Sequence, residues 1–85
     1  MTKVEIYTQP GCPYCHRAML ILNTKNIPIQ EISAPKGTPE REESIQRSGG
    51  KTSVPQIFIN GKAIGGCDDL VKLDKSGELD RLLAE

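Results

Sequence analysis

Tryptophan is absent from this 85-residue chain, and the only aromatic residues are Tyr7, Tyr14 and Phe58. Ile, Leu and Val must therefore pack any core. That core is small, since a domain of this length buries only somewhat more than ~60% of its unfolded surface. There is no excess of charge, because eleven basic residues balance eleven acidic ones. A neutral total gives no electrostatic reason to expect nucleic acid or an anionic membrane as partner. No stretch approaches the ~18 consecutive apolar residues of a membrane span. An apolar export segment is also missing, as Met1 runs straight into a strand-like pattern. Cysteine is scarce and odd in number, three in all, which weighs against a secreted framework of paired bridges. Two thiols standing close together, without an export signal, fit a reducing cytoplasm, where a disulfide is transient and catalytic. The length suits one domain over residues 1–85.

What is present is a succession of short periodic segments. Val4 to Thr8 is β-branched at several positions and predicts a buried strand. After the turn Gln9-Pro10-Gly11, the residues Cys15, Ala18, Met19 and Leu22 fall at helical spacing within Pro13–Lys25. Pro13 suits the first helical position, and Asn26 can end the helix in a left-handed conformation. Ile27, Ile29 and Ile32 suggest a second strand, completing a βαβ unit with parallel strands. Beyond the loop Ala34–Gly37, Thr38 caps a second helix with acidic residues in its first turn, and Ser48-Gly49-Gly50 stops it. Gln56–Ile59 and Lys62–Ile64 flank Asn60-Gly61, the strongest two-residue hairpin signal. After Gly65-Gly66 a helix begins at Cys67 or Asp68. Gly77 interrupts it before a last short amphipathic segment carrying Leu79, Leu82 and Leu83. The order βαβ followed by αββα predicts an α/β fold, a mixed sheet of four strands with helices on its faces.

The chemistry is concentrated in Cys12-Pro13-Tyr14-Cys15. Two thiols three positions apart at a helix start lie one turn apart on the same face. Their Cα atoms are then roughly 5–6 Å apart, as a disulfide requires. The first thiol sits where unpaired backbone N–H groups gather partial positive charge. Helix N-termini and Cys-X-X-Cys placements in general lower a thiol pKa from ~8.5 to ~3.5–7.5. Cys12 is therefore the candidate nucleophile, with His16 and Arg17 adding positive potential nearby. Cys15, a turn further in, is the candidate resolving thiol, which attacks a mixed disulfide on Cys12 and expels the other thiol. Pro13 lacks an N–H and fixes its own φ, stiffening the dipeptide between the sulfurs.

Three other readings use the same residues. A zinc knuckle of Cys12, Cys15, His16 and Cys67 lacks a second Cys-X-X-Cys or a His pair at finger spacing. Cys12 to His16 also matches the haem-attachment pattern Cys-X-X-Cys-His. Against that stand the missing export signal and the position of Met19, too close on the same helix to reach the far side of an iron. Two inert core cysteines would explain neither the turn before the pair nor the proline within it. Redox exchange is the reading these residues favour.

Around this motif the chain resembles the dithiol glutaredoxins. The likeness continues through Ser53-Val54-Pro55-Gln56-Ile57-Phe58-Ile59 and Ile64-Gly65-Gly66-Cys67-Asp68-Asp69-Leu70, so that the blocks span nearly the whole chain. The length and the stretch Arg41–Gly49 are most similar to the small bacterial type-three members. The resemblance implies a thioredoxin-like fold of order βαβαββα plus a short C-terminal helix. It implies a glutathione-dependent thiol–disulfide oxidoreductase that works on protein disulfides and glutathione mixed disulfides through a reversible Cys12–Cys15 disulfide. Glutathione is then a co-substrate, and no cofactor is tightly bound.

The same resemblance implies a cis Pro55, with the Val54 backbone left free to pair with the cysteinyl part of glutathione like an added strand. Without it, a trans proline opening an edge strand is an equal reading. Asp68 and Asp69 would form the γ-glutamyl site with the helix N-terminus; on their own they read as a cap and a first-turn acid. Ser53, Gly66 and Cys67 complete the implied contacts, Gly65-Gly66 permitting close backbone approach, and Tyr14 flanks the disulfide. Cys67 taken alone is a small buried residue beside a helix start. Gln9 stands where Lys is common, and Ser53 where Thr is. Lys51 and Arg47 are basic residues within reach of the glycyl carboxylate on this reading. The implied partners are disulfide-containing or glutathionylated proteins, with ribonucleotide reductase named by family alone. A cytoplasmic monomer is expected. Two other functions compete. A dimeric iron–sulfur carrier using Cys12 is disfavoured by Pro13, where cluster-binding members carry a small flexible residue. A thioredoxin-type enzyme served by a reductase is disfavoured by the block Gly65–Asp69.

Overall fold

In a computed structural model describing residues 2–84, the chain runs β1 (Val4–Thr8), α1 (Pro13–Asn23), β2 (Ile29–Ser33), α2 (Pro39–Arg47), β3 (Gln56–Ile59), β4 (Lys62–Gly65), α3 (Cys67–Ser76) and α4 (Glu78–Ala84). The strands form one mixed sheet in the order β2-β1-β3-β4. β1 and β2 are parallel, from Val4 opposite Ile29 to Thr8 opposite Ser33. β3 returns antiparallel beside β1, placing Ile59 opposite Val4 and Gln56 opposite Tyr7. β4 pairs antiparallel with β3, with a register shift between Ile57 and Phe58. Asn60 and Gly61 both take positive φ, +52° and +81°, as a tight hairpin turn demands.

Every residue of β1 is buried because helices cover both faces of the sheet at its centre. Val4 and Ile6 pack with Ile57 and Ile59 under Ala18 and Leu22 of α1, Leu70 of α3 and Leu79 of α4. The intervening Tyr7 joins Phe58 and Ala34 on the other face, where the two rings meet edge to face at 5.6 Å. α2 lies there, tied down by polar bonds. Arg47 forms a fork with Glu5, Nη2 to Oε1 at 3.0 Å and Nη1 to Oε2 at 3.2 Å. The Tyr7 hydroxyl donates to Glu43 at 2.6 Å, and the Arg47 guanidinium stacks 4.2 Å from the Phe58 ring centre.

The predicted element order and strand pairing match this architecture, with small shifts at boundaries, among them β4, which runs to Gly65 instead of Ile64. α1 ends at Asn23 instead of Lys25, because Thr24 turns its hydroxyl back onto the Ile21 carbonyl at 2.6 Å. Asn26 does adopt a left-handed φ of +55°, beyond the helix end. β2 starts at Ile29, since Pro28 has no N–H for the ladder. Ile27 packs against the core outside the strand.

Candidate active site

Cys12 is the N-cap residue of α1, with extended φ and ψ of −100° and 105°. Its sulfur occupies the place where a Ser or Asp oxygen commonly caps a helix, and Sγ accepts the Cys15 backbone N–H at 3.1 Å. The Cys12 carbonyl takes the first helical bond, from the His16 N–H at 3.1 Å. Pro13 follows at the first helical position, where no N–H is missed. One turn on, Cys15 faces the core and is only 4% exposed, whereas Cys12 is half-buried. Burial above all, then the Cys12 sulfur beside it and the Glu31 carboxylate, pushes the Cys15 thiol up to about 12. Of the two sulfurs, that of Cys12 is therefore the more accessible, and the Cys15 thiol lies behind it.

The peptide bond between Val54 and Pro55 is cis. The Cys12 thiol points at the Val54 carbonyl, 3.9 Å away. Among the described residues, no other group pairs with that carbonyl and none takes the Val54 N–H. Beside this segment opens a groove of about 340 Å³. One wall is Tyr14, 59% exposed, together with Ser53, Val54 and Pro55; the other is Gly66, Cys67, Asp68 and Asp69 at the start of α3. Lys51 and Gln56 complete it. Tyr14, Ser53, Val54, Pro55, Gly66, Cys67, Asp68 and Asp69, all expected beside the thiol pair, thus converge on one cleft from three separate parts of the chain.

At the head of α3, Gly66 is the N-cap and its N–H donates to Asp69 Oδ2 at 3.1 Å. Gly65 has a φ of +117°, and a Cβ there would collide with the Asp69 carboxylate. Asp69 is thus committed to the helix start. Asp68 is exposed, and among the described residues it makes no hydrogen bond or ion pair. Cys67 is buried in the groove wall, and that burial raises its pKa.

A sequence model of the Glutaredoxin family matches residues 4–64, well over half the chain. The chain belongs to the glutaredoxin family. It is 54% identical to Glutaredoxin 3 of Escherichia coli over 83 residues, covering 98% of this chain and 99% of that one. Among solved structures, the glutaredoxin of Brucella melitensis superposes with a TM-score of 0.83 at 48% identity, over 98% of this chain and 89% of that one. A buckwheat glutaredoxin–glutathione complex superposes with a TM-score of 0.85 at 26% identity, over 98% of this chain and 77% of that one. Glutaredoxins are glutathione-dependent disulfide oxidoreductases, and this chain is one of them.

Two basic residues take unexpected places in this glutaredoxin. Arg47, expected within reach of a glycyl carboxylate, lies instead on the α2 side of the sheet, held by Glu5 and by the Tyr7 hydroxyl at 2.8 Å. Arg41 is 6% exposed with only neutral partners: Gln9 Oε1 and the Ala34 carbonyl at 2.9 Å each, and the Thr52 carbonyl at 2.9 and 3.2 Å. This explains Gln9, because its amide oxygen receives the guanidinium where a Lys would oppose it. Nothing in the sequence marks Arg41 as a buried charge, because α2 has no apolar stripe to define its inner face. Among the described residues, no three His, Cys, Asp or Glu side chains are arranged to hold a metal ion.

Proposed function

We propose that Cys12 is the attacking thiol and Cys15 the resolving thiol in the reduction of protein disulfides and glutathione mixed disulfides. The observation that carries this is the asymmetry of the pair: the Cys12 sulfur is accessible and receives the Cys15 N–H, while the Cys15 thiol is buried behind it. Cys12 attacks the substrate disulfide, whose S–S bond breaks; one substrate sulfur leaves as a thiolate and the other stays bonded to Cys12. Cys15 then attacks Cys12 Sγ, closes the intramolecular disulfide and releases the second substrate sulfur. Glutathione reopens that disulfide through an adduct on Cys12. A second glutathione removes the first as glutathione disulfide and restores both thiols.

The groove suits glutathione by its chemistry. The Val54 N–H and C=O meet the cysteinyl backbone as an added strand would. The N–H groups at the start of α3 take the γ-glutamyl carboxylate, and Asp68 its ammonium. Lys51 faces the glycyl carboxylate. Ser53, Pro55, Gly66, Cys67 and Asp69 shape the walls, and Tyr14 flanks the reacting sulfur. Glutathione is a co-substrate in this scheme, and no tightly bound cofactor takes part.

The protein partners are disulfide-containing or glutathionylated proteins, with ribonucleotide reductase a candidate by family likeness. We assign the activity to a monomer, one domain over residues 1–85, with neither nucleic acid nor membrane as partner. The setting is the cytoplasm, whose reducing poise suits a disulfide opened in every cycle. A glutathione-coupled assay with single variants tests the roles. Cys12→Ser loses all activity. Cys15→Ser keeps reduction of small glutathione mixed disulfides and loses most reduction of protein disulfides. Activity of Cys12→Ser on the small substrate overturns the assignment.

A further inference from the structure

The resolving step requires Cys15 to lose a proton, since the thiolate is the nucleophile, and its burial opposes that loss. A carboxylate stands where it can help. Glu31 of β2 lies opposite Ile6 of β1, so it shares with Ile6 and Thr8 the face of the sheet that α1 covers. The Thr8 hydroxyl donates to Glu31 Oε2 at 2.8 Å, and among the described residues no hydrogen bond occupies Oε1. Glu31 and Thr8 line a cavity of about 310 Å³ together with Cys12, Cys15, His16 and Met19. This cavity shares no residue with the groove described above. It has room for a relay water, whose share of liquid volume is ~30 Å³.

We propose that Glu31 accepts the Cys15 proton, through one water in this cavity, as Cys15 attacks the mixed disulfide on Cys12. The inference rests on the assignment of Cys12 as attacking thiol and Cys15 as resolving thiol. The Cys15 S–H bond breaks and its proton passes to Glu31 Oε1. The sulfur electron pair forms the Cys12–Cys15 bond. The bond from Cys12 to the substrate sulfur breaks, and that sulfur departs as a thiolate and takes a proton from solvent. Substrate sulfur is reduced and Cys15 is oxidised, with no other redox partner needed.

Two features make the transfer workable. Once Cys12 is bonded to substrate, its thiol no longer holds the Cys15 proton in place, and that contribution to the raised Cys15 pKa disappears. Glu31 also loses, on accepting the proton, the negative charge with which it opposes a thiolate on Cys15. The titratable groups of the cavity are Cys12, Cys15, His16 and Glu31; Thr8, from β1, does not titrate. His16 is the other possible acceptor. It follows Cys15 directly on α1, and side chains at i and i+1 of a helix do not face each other.

The two phases of the reaction separate in rapid-quench experiments, the first forming a Cys12 adduct and the second consuming it. Glu31→Gln, nearly isosteric and on an exposed side chain, is expected to slow the second phase about tenfold at pH 7, the loss shrinking as rising hydroxide takes over the proton. Thr8→Val shows a smaller slowing, as the carboxylate loses its anchor. A merely electrostatic Glu31 predicts the opposite sign, because removing its charge would ease ionisation of Cys15 and speed the second phase. An unchanged or faster second phase in Glu31→Gln overturns the proposal, as does a tenfold loss that appears in His16→Asn instead. The Cys12 adduct that accumulates in Cys15→Ser checks the thiol roles separately, so failure of that assignment is distinguishable from failure of Glu31.

Discussion

Asp68 and Asp69 carry the same group on adjacent residues, yet the start of α3 gives them different tasks. The Asp69 carboxylate turns back onto the Gly66 N–H and completes the helix start, while Asp68 faces the groove without a partner among the described residues. Asp68→Asn should therefore raise the KM for glutathione about fivefold at nearly constant kcat, an effect of ~1 kcal/mol, the upper range of an exposed ion pair. Asp69→Ala should instead lower the melting temperature by roughly 4–8 °C, the equivalent of losing ~1 kcal/mol of capping in a domain of this size. Steady-state kinetics and thermal melts on the two variants separate these outcomes. This division was not legible in the sequence, where the pair reads as a cap followed by a first-turn acid, whereas the N-cap is Gly66 and both acids stand in the first turn. The difference depends on the path of Gly65 and Gly66 into the helix, a backbone matter that spacing does not encode. Cys12 and Cys15 were legible, because their difference follows from position along one helical turn.

At the scale of elements, α1 and α2 show when a helix can be read. Cys15, Ala18 and Leu22 repeat at helical spacing and are all buried, so the apolar period located both the helix and its inner face. α2 was recognised by its cap and its acidic first turn, but its buried residues are Arg41 and Ser44. It is anchored to the sheet by the Glu5–Arg47 fork and the Tyr7–Glu43 hydrogen bond, and polar anchoring leaves no periodic signature. Glu5→Gln should loosen this attachment by roughly 1.5–3 kcal/mol, the range for hydrogen bonds to charged groups. The Arg47 hydrogen bonds, more than its charge at a distance, hold the Glu5 pKa below its ordinary value of 4.5. A depressed carboxylate pKa stabilises the fold above the unfolded value, and that stability is lost as pH falls through the folded one. The gap in melting temperature between the wild type and Glu5→Gln should therefore be full at pH 7 and narrow progressively below about pH 4.5. A gap that stays constant down to pH 3 would show that the fork contributes no charge-dependent stability.

For the whole molecule, the decisive event is the return of β3 beside β1. Gln56 opposite Tyr7 brings Val54-Pro55, just before β3, up to Cys12, just after β1, and the bulged hairpin then delivers Gly66 to the same place. The hairpin was readable from Asn60-Gly61, but the meeting of residues 12, 54 and 66 was anticipated only through resemblance to a family, since no local pattern links them. The same assembly buries Cys15 and sets an alkaline limit on the reduced protein. Burial raises the Cys15 thiol from its ordinary 9.0 to about 12, and it raises the Cys67 thiol and the Tyr7 hydroxyl in the same direction. A group whose folded pKa is raised stabilises the fold fully below the unfolded pKa, and that contribution is lost as pH rises through the folded one. Denaturation of the reduced protein should therefore show stability declining from about pH 9 toward pH 12. Cys15→Ser removes its share of this slope, leaving a shallower decline from Cys67 and Tyr7. Oxidation to the Cys12–Cys15 disulfide removes the same titration, so the oxidised wild type should follow the shallower curve. The stability difference between the two redox forms must then change across this range, and with it the reduction potential, since the two are linked through one cycle. Potentials measured against glutathione at several pH values, set beside denaturation curves of both forms, test this directly. Parallel stability curves for reduced and oxidised protein above pH 9 would mean that the Cys15 thiol does not titrate as its burial requires.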